Sequence, residues 1–232
     1  MPAAASLADV VIAVDGPSGS GKSSTARGVA KRLGLRYLDT GAMYRAITWW
    51  LLAKDADLQD ASAIAKRALE PQLELSVDPD APRITVDGRD VDLAIRGAAV
   101  TAAVSAVAAV PEVRSRLVAL QRELIGAGGI VVEGRDIGTT VAPNAAVKIF
   151  LTASPEARAQ RRAAQLTPTE AAAIGTVADL ARRDHLDSTR DVSPLARAQD
   201  AVVIDSSGYE LDDVIEIILD LVAERLGVVS DG

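Results

Sequence analysis

Eight consecutive residues early in the chain combine glycines, a lysine and hydroxyl side chains in an arrangement suited to holding an anion. Gly16 to Ser23 reads Gly-Pro-Ser-Gly-Ser-Gly-Lys-Ser. Glycines allow successive backbone N–H groups to converge on a phosphate, and the start of a helix adds a partial positive charge. Lys22 is then placed to reach the β- and γ-phosphates of a nucleotide, and Ser23 to ligate Mg²⁺. We therefore predict a nucleoside triphosphate site formed by Gly16, Pro17, Ser18, Gly19, Ser20, Gly21, Lys22, Ser23 and Ser24.

The segments on either side of this loop have the character that such a site requires. Residues 10–14 are β-branched apart from one alanine, and residues 24–33 have helical spacing and end at Gly34. A strand, a loop and a helix in this order distinguish a phosphate-binding loop from a glycine-rich turn without a ligand.

A phosphate-binding loop alone does not choose between a motor, a switch and a small kinase. The Asn-Lys-x-Asp tetrapeptide with which switch GTPases read their base is absent from the sequence, and large ATPases need a longer chain. A small kinase needs a second anion site for its acceptor. Four further groups of residues are candidates for that site.

The first two groups follow predicted strands. Thr40 is either a helix N-cap or a hydroxyl that contacts phosphate, and Arg45, within the first turns of the same helix, points towards the site or is an ordinary surface arginine. Glu133 directly follows the strand 130–132, where an outer-shell ligand of the metal is expected. Arg135 and Asp136 then face the crevice, unless they form only a salt-bridged turn.

The third group lies on one face of a predicted helix. Arg158, Arg161 and Arg162 have the spacing i, i+3, i+4, and Glu156 is the only acid close to them in the sequence. We therefore expect these cations to lack local partners. A lid that closes over phosphates needs such cations, although a solvated basic face has the same pattern.

The fourth group places three charged residues in a row on a second helix. Arg183, Asp187 and Arg190 share one face. Such a row is able to clamp a phosphate while the carboxylate accepts sugar hydroxyls. An ion pair without a functional role is the alternative.

Composition limits the other possibilities. The 232 residues are 49% hydrophobic, 25% charged and 3% aromatic, which suits an α/β protein of one domain with insertions. The chain has no cysteine and one histidine, which excludes disulfides and thiolate metal sites. Its net charge of −7 argues against a general nucleic-acid partner. Because the longest apolar stretch, 98–110, is shorter than the ~20 residues of a membrane-spanning helix, and because no signal peptide is evident, we expect a soluble cytoplasmic protein without a membrane partner.

The elements that must position these residues alternate along the chain. Strands are predicted at 10–14, 36–38, 130–132, 146–151 and 202–204. Helices are predicted near 22–33, 41–53, 59–69, 98–108, 111–126, 154–165, 169–188 and 209–226. This alternation predicts a five-stranded parallel sheet with helices on both faces, of the P-loop NTPase type.

One segment breaks the alternation. Residues 73–77 and 83–86 alternate apolar and polar side chains and are separated by Asp-Pro-Asp-Ala-Pro. This pattern predicts a hairpin or a small antiparallel sheet that is inserted beside the main sheet rather than part of it.

From residue 11 to about residue 226 the chain resembles the bacterial cytidylate kinases, which belong to the nucleoside monophosphate kinases. The resemblance is carried by residues 14–22, 39–45, 105–114, 133–139 and 183–190. The phosphate loop is shared by many families, whereas this combination, in this order and with a β-rich insert, is far more specific. The chain departs from the family at Glu133, where an aspartate is common, which leaves open how directly this side chain reaches metal-bound water.

The resemblance implies a role for each group. Ser105, Arg114 and Asp136 would contact the cytosine, and Arg45, Arg135 and Arg190 the monophosphate, with Thr40 nearby. Arg183 and Asp187 would contact phosphate and ribose hydroxyls, and Arg158 and Arg162 would belong to a short helical lid. The implied catalytic set is Lys22, Arg135, Arg158, Arg162, Arg183 and Arg190, with ATP, Mg²⁺ and CMP or dCMP as ligands of a monomer. The implied segments are a core (9–39, 96–153 and 191–228), a monophosphate-binding segment with the insert (about 40–100) and a lid (about 154–190).

Three other functions stay open at this point. The acceptor could carry another base, as in UMP or AMP, or could be no nucleotide at all, as in the shikimate kinases. The chain could also be a nucleotide-binding switch without catalysis, against which the several acceptor-side arginines count.

Overall fold

The computed structural model describes residues 7–164 and 176–227. Five strands are parallel and form its main sheet: β1 (Val11–Asp15), β2 (Arg36–Asp39), β6 (Ile130–Gly134), β7 (Val147–Thr152) and β8 (Val202–Asp205). Their order is β2-β6-β1-β7-β8, so the chain crosses over between neighbours. The five predicted strands are confirmed, each within two residues of its predicted ends.

Helices separate these strands. They are α1 (Lys22–Leu33), α2 (Thr40–Ala53), α3 (Ala61–Arg67), α4 (Ala98–Ala109), α5 (Pro111–Ile125), α6 (Pro155–Ala163), α7 (Val177–Thr189) and α8 (Leu211–Leu226). The helix predicted at 169–188 is seen from Val177 onward, and the part of that prediction at 169–175 lies outside the described residues. So does residue 165, at the end of the helix predicted at 154–165.

Apolar side chains cover both faces of the main sheet, as the period-2 alternation of a strand requires. Ile12 and Val14 pack with α1 and α8, whereas Ala13 between them packs with α2, α4 and α5. Helix α1 approaches α8 closely at Gly28, where a Cβ would lie 2.3 Å from the Cδ1 of Ile215. The predicted arrangement of helices on both faces is therefore confirmed.

The segment that breaks the alternation forms a separate antiparallel sheet of β3 (Leu73–Leu75), β4 (Ile84–Val86) and β5 (Arg89–Asp90). The sequence analysis predicted its first two strands and missed the third. The third is joined to β4 by Asp87 and Gly88, both with positive φ, of 51° and 75°, which is the backbone of a two-residue hairpin turn.

The carboxyl ends of β1, β2 and β6 meet at one edge of the main sheet. Asp15 pairs with Gly134, and Asp39 with Glu133, at the last positions of these ladders. In open parallel sheets this edge is where ligands bind. None of the described helices is long and apolar enough to cross a membrane.

Candidate active site

A cavity of about 670 Å³ opens at this edge of the sheet. The phosphate loop, α1, α2, the small sheet, α4, α5, the turn after β6 and α7 all contribute to its wall. The residues predicted for the site that line it are Ser18, Gly19, Gly21, Lys22, Ser23, Ser24, Thr40, Arg45, Ser105, Arg114, Glu133, Arg135, Asp136, Arg162, Arg183, Asp187 and Arg190. Gly16, Pro17, Ser20 and Arg158 belong to the loop and to α6 but are not part of the lining. Residues that the sequence scatters over six groups are thus brought to one cavity.

The phosphate loop adopts a conformation that only glycine accommodates. Gly19 and Gly21 have φ of 79° and 90°, in the left-handed region that other residues avoid. At Gly16 a Cβ would lie 2.0 Å from the carbonyl oxygen of Leu151. Helix α1 begins at Lys22, so its free N–H groups and partial positive charge are directed at the loop.

Lys22 lies over the loop as a cation with little compensation. Its amino group donates to the Pro17 carbonyl at 3.3 Å. Burial, followed by the positive charge of Arg135, lowers the pKa of Lys22 to about 8. An anion bound in the loop would raise this pKa again, which is the behaviour expected of a lysine that binds phosphate.

Glu133 contacts the phosphate loop, although its side chain is one methylene longer than that of the aspartate that is common at this position in the resembled family. Ser23 donates from its hydroxyl to Oε1 of Glu133 at 2.6 Å, and the Tyr37 hydroxyl donates to the same oxygen at 3.4 Å. Burial, and then the charge of Asp39, raises the pKa of Glu133 to about 7. A hydroxyl and a carboxylate therefore meet where a metal next to the triphosphate is expected.

The interpretation of Thr40 as an N-cap is wrong by one residue. Asp39 is the N-cap of α2 and accepts from the Ala42 amide at 2.9 Å. Thr40 is the first helical residue, and its hydroxyl donates to the backbone carbonyl of Glu133 at 2.8 Å. That hydroxyl therefore joins α2 to β6 while its residue lines the cavity.

Arg114, Asp136 and Arg190 converge in the wall of the cavity. Arg114 forms an ion pair with Oδ2 of Asp136, and Nη2 of Arg190 lies 3.6 Å from Oδ1. All three side chains are at most 6% exposed. The guanidinium carbon of Arg114 also lies 5.2 Å from the centre of the Tyr44 ring. We name Arg114, Asp136 and Arg190 the base-end cluster, because the resemblance implies that Arg114 and Asp136 contact the base.

Arg135 and Asp187 connect the phosphate loop to the base-end cluster. Arg135 donates through Nη1 to the Gly16 carbonyl at 2.7 Å, and through Nε to Oδ2 of Asp187 at 2.9 Å. Ser105 donates to the other oxygen of Asp187 at 3.3 Å. Arg183 donates to the Ser18 hydroxyl at 3.3 Å, so this member of the predicted row contacts the phosphate loop. Arg190 follows the last residue of α7 and has an extended backbone, so the predicted helical row is wrong for this member.

Several cations of the cavity are crowded together. Arg45 donates to the Thr101 hydroxyl at 2.9 Å, and burial followed by the charge of Arg183 lowers its pKa to about 9. Burial, and then the charge of Arg135, lowers the pKa of Arg183 to about 10. Buried like charges destabilise one another unless an anion joins them. The cavity is therefore preorganised for a highly charged anionic ligand, and perturbed groups of this kind are typical of functional sites.

Two of the α6 arginines lack local partners, as expected, but have partners that are distant in the sequence. Arg158 is buried and forms an ion pair with Asp184 of α7, and Asp184 also accepts from the Ser18 amide at 3.2 Å. Arg161 donates to the hydroxyl and carbonyl of Ser206 at 2.8 and 2.6 Å. These partners are distant in sequence, which is why local charge counting missed them.

Two further residues of the site were missed. Asp184 lies within the range 183–190, but the sequence assigns it no role. Asp15 likewise has no predicted role, although it accepts from the amides of Ile137 and Gly138 at 2.8 Å each. An acidic residue between a buried strand and the phosphate loop is the signal that could have drawn attention to Asp15.

Comparison with known proteins agrees with this geometry. The profile of the cytidylate kinase family matches residues 12–224. The chain is 55% identical to the cytidylate kinase of Streptomyces avermitilis over 96% of both chains. It is 55% identical to that of Rhodococcus opacus over 96% of this chain and 99% of the other. An uncharacterized protein from Eubacterium ventriosum shares the fold, with a TM-score of 0.51 at 13% identity over 94% of this chain and 99% of that one. The chain belongs to the cytidylate kinase family.

Proposed function

We propose that this protein transfers the γ-phosphoryl group of ATP to CMP or dCMP, giving ADP and the cytidine diphosphate. Family membership supports this activity. The structural observation that carries it is one cavity that is lined by both the phosphate loop and the base-end cluster. Arg135 lies between them, bonded to the Gly16 carbonyl of the loop, where two phosphates must meet.

The transfer needs positioning and charge neutralisation more than proton chemistry. An oxygen of the acceptor phosphate bonds to the γ-phosphorus while the bond from that phosphorus to the bridging oxygen of ADP breaks. The acceptor is already anionic at neutral pH, so no general base is required. Lys22, Arg135 and Arg183 neutralise the charge that spreads over the transferring group, and Arg45 and Arg190 hold the acceptor phosphate.

The donor set next to the loop fits Mg²⁺. Hard oxygen ligands suit this ion, which in kinases is held by one or two protein groups together with the substrate phosphates. The Ser23 hydroxyl and the Glu133 carboxylate, 2.6 Å apart, are such groups. Among the described residues no cluster of three or more His, Cys, Asp or Glu could hold a metal alone. When bound, the ion would neutralise charge on the donor phosphates; Ser23 would hold it as a ligand, and Glu133 would lie in its outer shell.

The base-end cluster has the hydrogen-bonding groups that cytosine needs. Cytosine has an amino donor at C4 and acceptors at N3 and O2. A carboxylate accepts from the amino group and a guanidinium donates to the acceptors, which are the roles we assign to Asp136 and Arg114. Ser105 is bonded to Asp187, so we place this pair at the base and ribose side.

The lid has two kinds of arginine in this proposal. Arg162 lines the cavity and faces the transferring phosphates. Arg158 acts through Asp184, which it joins to the Ser18 amide, and so holds α6 and α7 against the loop. The monophosphate-binding segment (40–100) and the lid close when both nucleotides are bound, because donor and acceptor otherwise repel each other. Since all assigned residues belong to one chain, a monomer suffices for this proposal. We also propose a cytoplasmic location.

A panel of acceptors tests the function directly. ADP formation from ATP is measured in a coupled assay with CMP, dCMP, UMP, AMP and shikimate, at equal concentrations and with Mg²⁺. We expect the highest kcat/KM with CMP or dCMP. A preference for UMP, AMP or shikimate would overturn the assignment. If none of the acceptors in the panel supported ADP formation, the result would favour a nucleotide-binding switch.

Replacing Asp136 with asparagine should shift the choice of base. The amide presents an NH₂ donor where cytosine also presents a donor, whereas uracil presents an acceptor there. We expect kcat/KM for CMP to fall about 100-fold, since a hydrogen bond to a charged group contributes about 1.5–3 kcal/mol, and kcat/KM for UMP to fall much less. The ratio of the two constants is the measurement, with the KM for ATP as internal control. An equal loss for both acceptors would contradict the assignment of Asp136 to the base.

A further inference from the structure

The turn that follows Asp136 is not capped by its own N-cap residue. Residues Ile137–Val141 form one wide helical turn, in which the Asp136 carbonyl accepts from the Thr140 amide at 2.9 Å. Asp136 occupies the N-cap position and has the side chain that N-caps prefer, yet it makes no capping hydrogen bond. Its carboxylate is instead directed to Arg114 and Arg190.

Asp15 supplies the missing cap from the neighbouring strand. Its Oδ1 accepts from the Ile137 amide and its Oδ2 from the Gly138 amide, both at 2.8 Å. These are the first two amides of the turn, which have no partner within a helix. Asp15 is only 4% exposed, and it takes part in no ion pair among residues 7–164 and 176–227. Both of its oxygens are therefore committed to this turn.

Asp15 also immediately precedes the phosphate loop. The next residue, Gly16, accepts from Arg135 at 2.7 Å through its carbonyl oxygen. Two consecutive residues at the end of β1 thus hold the segment that contains Arg135 and Asp136 from both sides. The position of the acceptor's arginine and carboxylate relative to the loop is fixed by this junction.

We propose that Asp15 is a positioning residue for acceptor binding: by capping the turn after β6 it leaves the Asp136 carboxylate free for the base-end cluster. The inference rests on the proposed function. Without an acceptor at position 15, two buried amides lose their partner, and unsatisfied buried donors are strongly disfavoured. The Asp136 carboxylate is the group placed to cap its own turn, and in doing so it would leave Arg114 and Arg190.

The test uses Asp15→Asn in the full chain at pH 8. The amide keeps the shape but replaces one acceptor oxygen by an NH₂ donor, which faces a backbone donor. We expect the KM for CMP to rise roughly tenfold or more, as for a lost hydrogen bond to a charged group, and the KM for ATP to change less than about twofold, because the phosphate loop keeps its own contacts. Asp15→Ser also keeps one acceptor but places no fixed NH₂ donor against the second backbone amide, so it is measured in parallel and should show a smaller rise.

Asp60→Asn is the matched control. Asp60 caps α3 through the amides of Ser62 and Ala63 at 2.9 and 3.2 Å, and it is not part of the cavity lining. Both amides donate to one oxygen of Asp60, which asparagine keeps, so we expect this variant to change neither KM. A double variant, Asp15→Asn with Asp136→Asn, should raise the KM for CMP by less than the product of the single effects, because residues that act through one another are not additive.

The outcomes separate the inference from the function on which it rests. If the unsubstituted protein shows no turnover with CMP, the proposed function fails. If it turns over CMP but Asp15→Asn leaves both KM values unchanged, or raises them equally, the positioning role is wrong. Multiplicative effects in the double variant would also overturn it. Failure of both Asp15 variants to fold would assign this residue to the stability of the core instead.

Discussion

Replacing Lys22 with methionine is expected to lower kcat with CMP by about 10³-fold while leaving the melting temperature unchanged or higher. A cation that neutralises the transferring phosphates contributes on the order of 10²–10⁵ in rate. Its contribution to folding has the opposite sign. Because burial lowers the pKa of Lys22 to about 8 in the folded protein, below the value of an unfolded chain, the charged form is disfavoured by folding at pH 7. Methionine keeps the stem of the side chain and removes that penalty.

Steady-state kinetics and thermal unfolding at pH 7, measured on the same preparation, check this expectation. Lys66→Met is the control, since Lys66 is exposed on α3 and lies outside the cavity. It should keep both kcat and melting temperature. A Lys22→Met variant with near-normal turnover would show that the phosphate loop binds a nucleotide without taking part in transfer, which would revive the interpretation as a switch. A large loss of stability would contradict the sign argued from its pKa.

The fold was predictable where local pattern decides local structure. The alternation of apolar runs with helical patterns identified all five strands of the main sheet, and the glycine spacing identified the loop whose Gly19 and Gly21 have positive φ. The third strand of the small sheet was missed although Asp87-Gly88 is a hairpin signal, because strand β5 has only two residues. At the start of α2, Asp39 and Thr40 are both N-cap residue types, and sequence alone did not decide between them.

The contacts within the site were predictable only in part, because they join residues that are far apart in the chain. Arg158 finds Asp184 26 positions later, and the Ile137 amide finds Asp15 122 positions earlier. Charge spacing on one helix says nothing of a carboxylate that another helix brings to it. The groups that matter for the reaction were nevertheless recognisable as groups, because each follows a strand or shares a helix face.

Replacing Arg190 with alanine should lower kcat/KM for CMP by about 10³-fold, the size expected when an arginine that stabilises a phosphoryl transition state is lost, with little change in the KM for ATP. Arg190 is 4% exposed and lies 3.6 Å from Asp136 and 4.0 Å from Asp187. Each carboxylate keeps another cation after the substitution, Arg114 and Arg135 respectively. Neither is left as an isolated buried charge, so we expect the fold to survive.

Three comparisons make the Arg190 result specific. Arg190→Lys restores the charge without the planar fork, so it should recover only part of the activity. Added guanidinium ion should partly rescue Arg190→Ala, because it restores a cation to a site that is otherwise intact. Arg182→Ala is the control on the same helix, since that side chain is 63% exposed and pairs with Asp179 at 2.9 Å, and it should retain full activity. The contrary result is that Arg190→Ala raises the KM for ATP as much as that for CMP. Arg190 would then belong to the donor side, and the separation of the cavity into a donor site and an acceptor site would be wrong.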